Sequence, residues 1–314
     1  MATATETETE SRLIEIDRRI AATQGLRAKK ALRAERARIE REGYATLSAL
    51  ERVRLARHPE RPQTLDYIDR LIGGFIEIHG DRRFADDRAI VAGFGTFGPT
   101  AVAVVGHQRG RTTEERIRRN FGKPHPEGYR KAGRTYELAS RFNLPLLTFI
   151  DTQGAEPGAG AEERGQAEAI ARNLELMARL EAPVIASVIG EGGSGGALAL
   201  GVANIVLIQE YACYSVITPE GCAAILWRGE GPERVADAAA ALKLSAPDLK
   251  KLGIVDEIVA EPPGGAHRDP PTAAEHLGVA IRKHLDRLLK LPPEQWRRAR
   301  ERKFRSMGVE FLAT

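Results

Sequence analysis

Apolar residues change their spacing along the chain, and the changes divide it into parts. Leu13, Ile16 and Ile20 recur at helical intervals, as do Leu32 and Ile39. This predicts a charged helical arm over 11–58, with a break near Gly25. His58-Pro59-Glu60-Arg61-Pro62 stops the arm and opens the main body. The segment 66–78 reads as a helix, and 89–97 and 100–106 read as two strands joined at Gly98-Pro99. Helices over 129–142 and 162–180 alternate with buried strands over 144–150 and 184–189. After Glu210, short strands at 214–217 and 254–260 alternate with further helices. A last amphipathic helix is expected over 272–291, through Ile281, Leu285 and Leu288. Such alternation argues for an α/β body with a mostly parallel sheet.

The flanks read differently. Residues 1–10 are acidic and low in complexity, and are expected to be a disordered tail. The main domain is expected over 59–290, with a C-terminal tail over 291–314. The net charge of +4 is too small to require nucleic acid, though it suits an anionic substrate. Cys213 and Cys222 are too few for a disulfide framework or a four-cysteine zinc site, so small buried thiols are expected. No secretory signal or bilayer-spanning apolar run is visible, which points to a cytoplasmic location and no membrane partner.

Two glycine-rich segments follow strands, where ligands of α/β sheets usually sit. One is 151–160, the other 190–196. The second admits several readings. Gly190, Gly192 and Gly195, with Glu210 twenty residues beyond Gly190, fit a dinucleotide fingerprint and would make the chain an NAD-dependent dehydrogenase. Gly192, Ser194 and Gly196 fit a nucleophile elbow, with Asp256 and His267 following in hydrolase order. Backbone amides alone could form an oxyanion hole. A tight turn without a ligand is the fourth reading. Spacing leaves all four open.

A longer set of segments narrows the choice. Arg-Pro-Gln-Thr-Leu-Asp-Tyr (61–67), Gly-Asp-Arg-Arg-Phe-Ala-Asp-Asp (80–87), Gly-His-Gln-Arg-Gly-Arg (106–111), Arg-Arg-Asn-Phe-Gly-Lys-Pro (118–124) and Pro-Glu-Gly-Tyr-Arg-Lys-Ala (126–132) occur in order. Pro-Gly-Ala-Gly-Ala-Glu-Glu-Arg-Gly-Gln (157–166), Gly-Glu-Gly-Gly-Ser-Gly-Gly-Ala-Leu-Ala (190–199), Tyr-Ser-Val-Ile-Thr-Pro-Glu-Gly-Cys-Ala (214–223) and Pro-Gly-Gly-Ala-His-Arg (263–268) complete them. Together these closely resemble the carboxyltransferase α subunits of bacterial-type acetyl-CoA carboxylase.

The resemblance implies a crotonase (ClpP)-like spiral of ββα units, with the N-terminal helical arm and C-terminal helices. It implies transfer of the carboxyl group of carboxybiotin to acetyl-CoA, giving malonyl-CoA for fatty acid synthesis. Its implied partners are a zinc-containing β subunit, the biotin carboxyl carrier protein and biotin carboxylase, around an α2β2 core. No metal is expected in this chain, which lacks the β subunit's four-cysteine pattern. A non-catalytic scaffold subunit is the other reading this family allows.

Two developing oxyanions need fixed N–H dipoles in such a reaction. The amides of Gly195, Gly196 and Ala197 are the candidates for the biotin ureido oxygen. Gly158, Ala159, Gly160, Gly192 and Gly193 are candidates for lining the biotin or substrate cleft. Arg109, Arg111, Lys123 and Arg130 are candidates for CoA phosphates or a subunit interface, and equally for structural charge. Ser194 is then a turn residue. In one place the chain departs from the family loop, which reads Asp-Thr-Pro-Gly and then an aromatic residue. Here it is Asp151-Thr152-Gln153-Gly154-Ala155-Glu156, which brings a carboxylate toward the biotin side.

Overall fold

The apolar stripes of the arm give two helices, α1 (Glu8–Ala22) and α2 (Leu26–Ala45), in a computed structural model that describes residues 8–309. Gly25 joins them at a φ of +105°, a conformation that suits glycine. Leu13, Ile16, Ile39 and Tyr44 are buried with Leu55 and Tyr211, so the arm packs on the body. Residues 8–10, expected in the disordered tail, are helical. Glu10 is buried there because it faces His267 and Arg268. The rest of that expected tail, 1–7, lies outside the described residues. A capping box of Ser48 and Glu51 then starts α3 (Ala49–Ala56).

The helix expected over 66–78 is shorter, α4 (Thr64–Leu71). Gly73-Gly74 stops it, with Gly74 at φ +59°, and the chain continues as edge strand β1 (Gly73–Glu77). The hairpin forms as β2 (Ile90–Phe97) and β3 (Thr100–His107), with Gly98 at φ +58° leading its two-residue turn. Then come α5 (Thr113–Arg118), a 3-10 turn at Asn120–Gly122, α6 (Pro126–Arg141) and β4 (Leu146–Thr152). The helix expected over 162–180 is two helices, α7 (Ala159–Glu163) and α8 (Gln166–Arg179). Gly165 parts them at φ +82°. β5 (Val184–Gly193) runs straight into α9 (Ser194–Leu198). The remaining elements are β6 (Ile205–Gln209), β7 (Cys213–Ser215), α10 (Pro219–Leu226), α11 (Val235–Ala241), α12 (Ala246–Lys251), β8 (Glu257–Val259), α13 (Pro270–Leu288) and α14 (Pro293–Ser306).

The sheet has the order β1-β2-β3-β4-β5-β6-β8, antiparallel up to β3 and parallel beyond. Parallel strands covered on both faces must be apolar at both parities. β4 and β5 are buried at every position and apolar over most of their length, with Asp151 and Glu191 near their C-terminal ends. Tyr129, Tyr136 and Met177 cover one face from α6 and α8. Tyr67, Leu277, Ile281 and Leu285 cover the other from α4 and α13. β5 is long enough to take part in two ladders. Residues 185–188 sit between β4 and β6, while 191–193 pair with β7. The glycine segment therefore lies at the parallel strand ends, where Gly192 still pairs with Thr152 of β4.

The segment 291–314, expected as a tail, carries α14. Trp296 and Arg300 are buried there. Trp296 Nε1 donates to the Leu288 carbonyl at 2.8 Å, and Arg300 Nη1 donates to Asn204 Oδ1 at 2.7 Å. Burial pushes the Arg300 pKa down to about 10. Cys213 and Cys222 are free, buried thiols. Among the described residues, no helix is long and apolar enough to cross a membrane.

Candidate functional site

Three of the last four residues of β5 have no room for side chains. A Cβ on Gly190 would lie 2.4 Å from Asp151 Oδ1, one on Gly192 would meet the Tyr214 ring at 2.7 Å, and one on Gly193 would lie 2.1 Å from the Gln153 carbonyl oxygen. Packing alone explains these three glycines. They lie in the strand, so the glycine loop is shorter than the sequence suggests. Ser194 turns the chain at φ +52° and α9 begins at once. The amides of Ser194, Gly195 and Gly196 have no carbonyl four residues earlier within the helix. Gly196 and Ala197 are buried, and Gly195 is half-buried.

Gly195 differs from its neighbours. A Cβ there would meet Ile170 at 3.6 Å, an ordinary contact, and its φ is not left-handed. Among the described residues nothing requires glycine at 195. Close approach by another molecule is the remaining physical reason for one.

The second corner nests against the first. Thr152 Oγ1 accepts from the Gly154 amide at 3.1 Å and donates to the Gly154 carbonyl at 2.8 Å, closing the turn after β4. A Cβ on Gly196 would meet Ala155 N at 2.7 Å and Gly154 C at 2.8 Å. The two corners thus touch main chain to main chain. Gly158 caps α7, and Ala159 and Gly160 are its exposed first residues. The Glu156 carboxylate accepts from Asn120 Nδ2 at 2.8 Å and from the Gly158 amide at 3.0 Å. The Asn120 bond leads the causes that hold its pKa below the usual range.

Beneath the corners lie two buried polar groups. Tyr129 Oη has no hydrogen-bond partner and would sit 2.9 Å from a Cβ on Gly196. His107, fully buried, faces the Asp151 amide with Nδ1 at 3.4 Å. Burial pushes its pKa down to about 3, against smaller upward pulls from the Gly196 and Phe149 backbone. In the unfolded chain it titrates near 6.5. Between those values the unfolded state holds the extra proton, so this group's contribution to stability falls as pH drops from about 6.5 toward 3. Denaturant titrations should show His107→Gln losing up to about 1.4 kcal/mol less per pH unit than the parent across that window. Parallel slopes would count against the assignment.

The competing motifs do not assemble. Asp256 accepts from the Val206 amide at 2.6 Å and pairs with Lys303. His267 stacks on His58 at 3.8 Å, and neither of its ring nitrogens is hydrogen-bonded. No relay runs from Asp256 through His267 to Ser194. Gly190 and Gly192 lie in a strand rather than a phosphate loop, and Glu210 accepts from the Glu261 amide at 3.2 Å.

Beside the corners, Arg57, Arg61, Arg109 and Arg116 line a cavity of about 320 Å³ with Asp151 and Gln153. Arg109 pairs with Asp151 at 3.2 Å, and Arg57 joins Glu191 at 2.6 Å to Glu220 at 2.7 Å. Burial raises the Asp151 pKa despite the Arg109 charge.

A family model described as acetyl co-enzyme A carboxylase carboxyltransferase-like matches residues 6–308. The chain belongs to this family. The carboxyl transferase α subunit of acetyl-coenzyme A carboxylase from Sorangium cellulosum is 58% identical over 271 residues, covering 86% of this chain and 85% of that relative. Its counterpart from Aquifex aeolicus is 56% identical over 274 residues, covering 87% and 84%. Among solved structures, a chain of the transcarboxylase 12S hexamer matches with a TM-score of 0.55 at 21% identity, over 68% of this chain and 41% of that one. The β subunit of P. aeruginosa geranyl-CoA carboxylase matches with a TM-score of 0.55 at 18% identity, over 75% and 44%. This chain spans less than half of either polypeptide, and these likenesses bear on the fold, which is the crotonase-like one.

Within this carboxyltransferase fold the other candidate cations have intrachain partners or neighbours. Arg111 pairs with Asp66 at 2.7 Å. Arg130 is held by Asp81 at 2.8 Å and Glu127 at 3.0 Å, and donates to the Arg164 carbonyl at 3.0 Å. Lys123 is half-buried and helps lower the Glu156 pKa. Glu127 was not legible as a site residue. Its buried carboxylate also binds Arg164 at 2.8 Å, so it ties α6 to the end of α7. Only its place in the 126–132 segment hinted at a role.

Proposed function

We infer that this chain is the α subunit of an acetyl-CoA carboxylase carboxyltransferase, acting with a β subunit to form malonyl-CoA from acetyl-CoA and carboxybiotin. The supporting observation is identity above 50% along most of the relatives' length. The dehydrogenase and hydrolase readings lack the geometry they need. When bound, carboxybiotin supplies an activated carboxyl group, and its release leaves charge on the ureido oxygen.

The chain's own part is to hold that charge. The amides of Gly195 and Gly196 are assigned to the oxyanion, with Ala197, the fourth residue of α9, behind them. Gly158, Ala159 and Gly160 at the start of α7, with Gly192 and Gly193 at the end of β5, are assigned to the lining of the biotin or substrate site. Losing one fixed donor in such a site costs about 2.7–4 kcal/mol of transition-state stabilisation. Arg109 and Lys123 remain the candidates for substrate phosphates or partner carboxylates, and Arg111 and Arg130 fit structural pairing better. The zinc-bearing β subunit, the biotin carboxyl carrier protein, biotin carboxylase, the α2β2 core and a cytoplasmic location belong to the same proposal. Val216, Ile225 and Leu226, 74%, 63% and 63% exposed, favour cover by a partner.

The test is reconstitution with a β subunit and assay of malonyl-CoA formation. Ser194→Gly removes the hydroxyl while suiting the positive φ. It should keep activity within about threefold, because a turn residue contributes no bond to the reaction. Complete loss with an intact fold would favour the nucleophile reading instead, and no turnover of any acyl-CoA by the parent complex would sink the assignment.

A further inference from the structure

Three side chains from distant parts of the chain meet where the arm joins the body. Glu10 lies on α1, His58 follows α3, and His267 lies between β8 and α13. One ligating atom of each falls within 4.8 Å of the others. His267 Nε2 is 3.5 Å from Glu10 Oε1, and the two side chains are only 4% and 3% exposed. Among the described residues neither ring nitrogen of His267 has a hydrogen-bond partner, and only Nε2 has the Glu10 carboxylate near it. A buried imidazole left in that state is costly and calls for an explanation. Two histidines and a carboxylate are a zinc donor set. Metal–ligand bonds of about 2.0–2.2 Å in a tetrahedron separate neighbouring ligand atoms by about 3.4 Å. The observed 3.5 Å between His267 and Glu10 matches that edge.

We propose that Glu10, His58 and His267 bind one divalent transition-metal ion, zinc by donor set, which fastens the helical arm to the body. His58 is the adjustable ligand. Its ring stacks on His267 at 3.8 Å, and its Nδ1 accepts only the exposed Glu60 amide at 3.2 Å. Swinging that half-exposed ring out of the stack lets both lone pairs converge. Arg268, 3.9 Å from Glu10, opposes a cation but is 41% exposed and can turn to solvent. A water completes four-coordination. The site adjoins the crevice, since Arg57 precedes His58 and pairs with Glu191 of β5.

The test uses the full chain, stripped with EDTA and titrated with zinc chloride. One equivalent should bind with a Kd at or below about 1 μM, roughly −8 kcal/mol. His267→Ala and His58→Ala should each weaken binding by more than the roughly 10–100-fold loss that accompanies removal of an outer-shell partner. Zinc should raise the melting temperature of the parent and not of either variant. If His267→Ala does not fold, His58→Gln at the half-exposed position decides by the same titration. A folded parent that takes up no stoichiometric zinc overturns the proposal, and so do His58 variants that bind as tightly as the parent.

Discussion

Gly195→Ala is expected to lower carboxyl transfer by about 100-fold or more while leaving the fold unchanged. The added methyl meets nothing closer than Ile170 at 3.6 Å, so folding has no reason to suffer. The cost falls on whatever molecule approaches the residue. The amide N–H at 195 survives the substitution, but the methyl holds the reacting group off it, so the loss appears in kcat and kcat/KM together. Gly196→Ala is the contrasting variant. Its methyl would collide with the backbone of residues 154 and 155 at 2.7–2.8 Å, so it should lose stability as well as activity. Steady-state malonyl-CoA formation by the reconstituted complex, read beside thermal melts, separates the two cases. A Gly195→Ala enzyme within a few-fold of the parent would remove the residue from the site.

Arg61→Ala is expected to cost about 3–5 kcal/mol of stability, the range for breaking a buried ion pair from one side. Arg61 and Glu261 are 3% and 0% exposed at the side chain and meet at 2.6 Å. Arg61 also donates to the Ile189 carbonyl at 2.7 Å and to Gln209 Oε1 at 3.2 Å. Glu261 accepts in addition from the Tyr211 and Ala266 amides at 2.9 and 2.6 Å. One pair therefore ties the entrance of the body to β5, β6 and the loop after β8. Removing the cation leaves a buried carboxylate with two amide donors and no counter-charge. Urea denaturation should show a lowered midpoint with little change in slope. The double variant Arg61→Met/Glu261→Gln should recover part of the loss, because no lone charge then remains inside.

The sheet was legible because parallel strands must be apolar throughout, and 144–150 and 184–189 announce that directly. The hairpin was legible because Gly98-Pro99 is a turn with a stated conformation. β1 was not. Its Phe75 and Ile76 continue an apparently helical spacing, and only the Gly73-Gly74 pair signals the change. α14 was missed for a different reason. Its buried anchors are a lone Trp296 and Arg300, and hydropathy scores the second as surface. The glycine run 190–193 was misplaced because sequence does not distinguish a glycine that bends the chain from one that lets a ring or carbonyl press against it. Of the site, the two corners were visible as strand-to-helix glycine segments. The ion pairs beside them were not, since Arg57, Asp151, Glu191 and Glu220 carry no common spacing. Residues 10, 58 and 267 are likewise brought together only by folding.

The contact between Gly193 and residue 153 uses the main-chain atoms of position 153 alone. Selection at that interface therefore acts on the glycine and leaves its opposite number chemically free. Glutamine at 153 can keep the same joint as proline would, because the nearest contacts are main-chain atoms. Variation concentrated at 153, with 193 held constant, is what drift across such a one-sided constraint would leave behind.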